Sequence, residues 1–202
     1  MSSPPEDLSD LGRRLWGVTE GVLAFAGLVD PASVFIDRES GMPVLPVPTA
    51  VVVSGEEVAL LSPEETPDAL TVLGVPEELS PERHGACDRH IACFGRPRHP
   101  RWALLRVTMI KRLDRVAGPE ILGPDPLARV EGALCRRLNA DHTALVRACS
   151  SRARVQVEHP MAVGVDRFGV LVRARFGVIR LEFEHEAGTP ELAERALAEL
   201  LA

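Results

Sequence analysis

Leu8, Leu11, Leu15, Val18, Val22 and Phe25 recur at three- and four-residue intervals, the spacing of one apolar stripe on a helix, and this predicts a first helix over residues 6–26. From residue 31 to about 63 the pattern shifts to short β-branched runs at 33–36, 49–53 and 57–61, broken by Gly and Pro, and these predict strands of an antiparallel sheet. Val53-Ser54-Gly55-Glu56 fits a hairpin turn between the last two, because glycine reaches the positive φ such turns need. Residues 67–73 fit a short helix and 76–81 a loop. Two more strands, 89–94 and 102–110, are expected to form a second hairpin, since the intervening Gly95-Arg96-Pro97-Arg98-His99-Pro100 has prolines that cannot donate ladder hydrogen bonds.

Gly118, Pro119, Gly123 and Pro124 mark a linker and a domain boundary, so the expected domains are residues 1–120 and 125–202. Asp125 is a good N-cap and Pro126 suits a first helical position, which starts a helix carrying Leu127, Val130, Leu134 and Leu138 on one stripe. One more turn of that stripe reaches His142, Leu145 and Cys149. An unbroken helix turns His142 toward the core; a break capped by Asn139 or Asp141 instead puts it in the first turn of a second helix. Three short strands follow at 155–165, 170–176 and 178–183, with Asp166-Arg167-Phe168-Gly169 and Gly177 at the turns. Thr189 as N-cap, then Pro190 and Glu191, opens a last helix whose Leu192, Ala196, Leu197 and Leu200 are expected to cover the sheet. The class is α+β.

Composition narrows this little. The 202 residues are 46% hydrophobic, enough for one large or two small domains. No apolar run is long enough for a membrane span, and the first residues lack the basic and apolar regions of a signal peptide, which together argue for the cytoplasm. Cys87, Cys93, Cys135 and Cys149 are too scattered for a disulfide framework and read as small core residues. Lys111 is the single lysine among 23 basic residues, a bias suggesting a GC-rich bacterial genome. The net charge of −6 is uneven: residues 1–82 carry −12, residues 83–118 carry +7 and residues 119–202 carry −1. The central block either receives an anionic ligand, with Arg96, Arg98, Arg101, Arg106 and Lys111 gripping phosphate or carboxylate groups, or pairs with the acidic first half; pairing or plain solvation is favoured.

His84, Cys87, His90 and Cys93 are residue types that bind zinc, but the expected strand over 89–94 would point His90 and Cys93 to opposite faces, so no metal site is assigned. Phosphate-cradling glycine loops, the nucleophile-elbow pattern and the His-Glu-x-x-His helix are all missing, and no acid and base pair can be picked out. The sequence has no Tyr and an acidic balance, which argues against nucleic acid as a partner. His99 in its arginine-rich turn and His159 before Pro160 are loop histidines with no context to single them out as ligands.

The stretch Arg137-Leu138-Asn139-Ala140-Asp141-His142, with Asp166-Arg167-Phe168-Gly169 about two dozen residues on, resembles the C-terminal domain signature of split-barrel proteins in the pyridoxamine-phosphate-oxidase-like, FMN-binding superfamily, in its HugZ-type haem-utilization branch. The family motif reads His-Met-Asn-x-Asp-His; this chain keeps Asn139, Asp141 and His142 and has Arg137 and Leu138 in place of the first two. The resemblance implies a divergent split β-barrel with an N-terminal helix, then a C-terminal domain of helix, three-stranded antiparallel sheet and helix. It also implies a homodimer that binds haem or a related tetrapyrrole, with flavin- or haem-dependent redox chemistry if the protein is an enzyme. His142 is the leading ligand candidate, with Asn139 and Asp141 beside it and Arg96, Arg98 and Arg106 steering carboxylates. In flavin-binding relatives the first barrel strands supply phosphate contacts; here residues 41–49 offer Thr49 as the hydroxyl and no basic residue, which argues against FMN. The alternative is a non-catalytic dimeric scaffold or regulatory module that has lost the cofactor site, with His142 a packed core residue.

Overall fold

The computed structural model describes residues 8–62 and 68–202, and they divide into two compact units: 8–62, 68–90 and 96–123, and 91–95 with 124–202. The first unit holds a curled antiparallel half-barrel sheet of eight strands: β1 (Glu20–Phe25), β2 (Leu28–Ser33), β3 (Phe35–Ile36), β4 (Pro43–Val47), β5 (Val58–Ser62), β6 (Leu70–Leu79), β7 (Arg101–Arg112) and β8 (Arg115–Ala117). Their order is β2-β1-β5-β6-β7-β4-β3, with β8 paired to β7. Helix α1 (Leu8–Gly17) packs on β7 and β8, and α2 (Thr49–Ser54) on β6 and β7. Leu11, Leu15, Leu23, Phe35, Leu45, Leu60, Leu105 and Ile110 are the largest fully buried side chains of this core.

Four expectations fail between residues 6 and 94, each where a short segment satisfies two patterns. The helix over 6–26 stops at Gly17, and Val22 and Phe25 belong to β1, where antiparallel pairing with β2 and β5 outweighs a stripe that also tolerates strand geometry; residues 6 and 7 lie outside the described residues. The strand over 49–53 is α2: Pro48 precedes it, Val51 alone is buried on it, and Gly55 closes it as a left-handed C-cap at φ 62°, so the glycine is needed for a helix end rather than a hairpin. Residues 70–79 form β6, not a helix and loop, because β5 and β7 both bond to that segment and Pro76 is accommodated within it; Pro67 lies outside the described residues. The strand over 89–94 is part of α3 (Gly85–Phe94), so the hairpin expected between it and 102–110 does not form; β7 pairs with β4 and β6 instead.

The second unit is built on a three-stranded antiparallel sheet, β9 (Met161–Asp166), β10 (Gly169–Ala174) and β11 (Gly177–Glu182), in the order β11-β10-β9. Helices α4 (Glu131–Ala140), α5 (His142–Arg152) and α6 (Pro190–Leu201) share one core with it, including Leu127, Leu138, Leu145, Val165, Val170, Val172, Leu181 and Leu197. Asp125 caps a turn rather than α4: its Oδ1 accepts from Leu127 N at 3.1 Å, and α4 begins only at Glu131. The strand expected from 155 begins at Met161, after a loop in which His159 has φ 51°. Thr189 caps α6 by accepting from Leu192 N, as its sequence predicts, but Leu192 is 43% exposed and Ala193 takes its place in the core beside Leu197 and Leu200.

The Asp-x-x-Gly turn has a structural explanation. Asp166 is fully buried, its two carboxylate oxygens accept from Arg180 Nη1 and Nη2 at 2.9 and 2.7 Å, and Oδ1 also accepts from Phe168 N. A Cβ at Gly169 would collide with the Leu181 carbonyl oxygen, so β10 and β11 approach closely only because that residue is glycine.

Candidate functional site

The break that sequence leaves open falls at Asp141. Its Oδ1 accepts from Ala144 N at 3.0 Å, which caps α5 and makes His142 the first residue of that helix, exposed rather than packed in the core. Asn139 is spent on the sheet: its Oδ1 accepts from Ala162 N at 2.7 Å while its Nδ2 donates to Ala162 O at 3.0 Å. This two-point clamp fixes the end of α4 to the start of β9. Asn139 and Asp141 therefore do one job each, and both fix where His142 stands.

His142 meets a second histidine. The His142 and His159 rings stack with centroids 5.9 Å apart and planes 19° from parallel. His159 is exposed and held in the left-handed region just before buried Pro160, a conformation that few residues other than glycine adopt. It also lines an open cleft of about 470 Å³ with Glu158, Met161, Arg173, Ala174 and Arg175. Met161 and Arg173 are cross-strand partners, so their side chains lie side by side on one face of the sheet. Arg173 Nη1 donates to Ala92 O at 2.8 Å. Sequence reasoning has His142 and His159 as separate candidates and misses Arg173 and Arg175, although their i, i+2 spacing beside the Gly177 turn is a readable sign that both leave one face of a strand end.

The central basic residues belong to the first unit. Arg106 is paired with Glu77 and Arg101 with Glu78, while His99 Nε2 lies 2.6 Å from Asp30 Oδ2, so acidic partners from the first 82 residues take up much of that block. Arg96 and Arg98 are exposed. The 84–93 cluster lies on α3 and its cap. Cys87 and Cys93 are buried thiols, burial pushes the Cys87 thiol up to about 11, and His90 is buried with its ring edge on Trp102 at 5.0 Å. Helical spacing does not assemble them into a ligand set: among the described residues no three His, Cys, Asp or Glu side chains gather around a metal-sized position. No helix among the described residues is long and apolar enough to cross a membrane.

No protein-family model matches the chain, and no curated protein matches it in sequence. Among solved structures, a protein of unknown function from Agrobacterium tumefaciens is similar over 100% of this chain and 98% of its own, with a TM-score of 0.72 and 18% identity, which shows a shared fold. A haem binding protein from Mycobacterium smegmatis is similar over 98% of both chains at 18% identity with a TM-score of 0.42, too loose a superposition to bear on fold or ligand.

Proposed function

We propose that the second unit binds haem or a closely related tetrapyrrole at the corner formed by His142 and His159, as a divergent member of the split-barrel superfamily that its motif resembles. His159, which lines the Met161–Arg173–Arg175 cleft and stacks on His142, carries this reading. The donor set fits the group: imidazole is a common axial ligand of haem iron, and guanidinium groups pair with carboxylates. A cleft of about 470 Å³ is within the size range of small-molecule sites. Asn139 and Asp141 act as positioning residues, through Ala162 and the α5 cap. Bound haem would supply any redox chemistry; the chain supplies the ligand nitrogen, its orientation and the charge around it.

The experiment is an absorbance titration of the purified protein with haemin and, separately, with FMN, repeated for His142→Ala and His159→Ala. Saturation at one haemin per chain, weakened in either variant, supports the reading; linear, unsaturated uptake unchanged by both substitutions overturns it. A second reading, a dimeric scaffold without cofactor, is favoured by one observation: Asn139 and Asp141 spend their side chains on backbone groups. Light scattering gives the oligomeric state, and a stable dimer that takes up neither ligand would establish that alternative.

A further inference from the structure

One large apolar side chain of the cleft lining stands exposed, Met161 at 47%, and it neighbours an arginine. Met161 sits across the ladder from Arg173. Arg173 is tied at one nitrogen to the Ala92 carbonyl, which fixes the guanidinium and leaves it further donors, since the group has five. Arg175 is exposed and has no carboxylate partner among the described residues. Against these two charges the lining offers one acid, Glu158. Arg180, by contrast, is matched by Asp166.

An inorganic anion would have no use for Met161, and a neutral apolar ligand none for the arginines. Both features together suit a flat, apolar ring system with carboxylates along one edge. Resting on the tetrapyrrole reading above, we propose that Arg173 and Arg175 form the carboxylate subsite of this cleft, so that it selects a ligand with free carboxylates, with Met161 as its apolar contact. Arg175 makes the larger contribution, because Arg173 already spends a donor on the backbone.

The test is an absorbance titration of the full chain with haemin and with haemin dimethyl ester, for the wild type, Arg175→Gln and Arg173→Gln/Arg175→Gln. A charge-assisted contact of the usual strength separates the two ligands by roughly ten- to a hundredfold. The expected result is that the wild type prefers the free acid by such a factor, that Arg175→Gln loses most of the preference, and that affinity for the ester stays the same in all three. Equal binding of both ligands by the wild type, or a preference that survives the double substitution, overturns the subsite while leaving tetrapyrrole binding intact. Saturable binding of neither ligand overturns both.

Discussion

His90 makes the first unit's stability depend on pH in a way that can be worked out. The ring is 1% exposed, its Nε2 lies 3.0 Å from the Ser33 carbonyl oxygen and 3.1 Å from Ser33 Oγ, and its edge rests on Trp102. Facing a carbonyl, Nε2 carries the hydrogen of a neutral ring. Burial pushes the imidazole down to about 4, partly offset by the hydrogen bond to Ser33, against 6.5 for the unperturbed group. Below pH 6.5 the unfolded chain therefore takes up a proton that the folded chain refuses. The stabilisation is fully present above pH 6.5, is lost as pH falls through the interval from 6.5 to about 4, and levels off below that. With a limiting slope of about 1.4 kcal/mol per pH unit, moving from pH 8 to pH 5 costs about 2 kcal/mol through this residue. The assay is urea unfolding at both pH values for the wild type and His90→Gln. Carboxylates titrate alike in the two proteins, so the difference between their pH dependences isolates His90, and the variant is expected to lose about 2 kcal/mol less on acidification. An identical pH dependence, or an NMR titration of the wild-type His90 ring with a midpoint near 6.5, would refute the reasoning.

Three further perturbations probe the second unit. Asp166→Ala leaves Arg180 buried without its carboxylate and should cost about 3–5 kcal/mol, read from the urea midpoint, whereas a cost under about 1 kcal/mol would mean that the pair is solvated. Gly169→Ala forces β10 away from the Leu181 carbonyl and is expected to cost about 1–3 kcal/mol; thermal melting checks it, and an unchanged melting temperature would contradict the close approach. Asn139→Ala removes both bonds to Ala162 and should cost about 1–3 kcal/mol, with hydrogen exchange at the start of β9 rising first; protection there that stays the same would show the clamp to be dispensable.

What could be read from the sequence was what is decided locally. Thr189-Pro190-Glu191 opens α6 because cap, first-turn proline and first-turn acid are adjacent, and the three C-terminal strands stand out between their own turns. Segments that failed carry patterns valid in two conformations: 49–53 is β-branched yet closes as α2 between Pro48 and Gly55, and 70–79 contains Pro76 yet pairs on both sides as β6. The cap at Asp141 was visible as one of two alternatives for His142, and the structure selects it. The site itself was half legible. His142 was found by its motif, but its stacking on His159 depends on how a loop 17 residues away returns to the start of α5, which no local pattern encodes. The acidic partners of Arg106 and Arg101 were likewise expected only as a class, because Glu77 and Glu78 reach them through the β6–β7 register.

Haemin's iron is paramagnetic, so the location of the site can be read directly from which backbone amide signals broaden when one equivalent of haemin is added to the ¹⁵N-labelled protein. Broadening is expected to concentrate at residues 142–145, 158–163 and 173–177, around His142, His159, Met161, Arg173 and Arg175. Broadening centred on residues 96–106, or spread evenly along the chain, would contradict it.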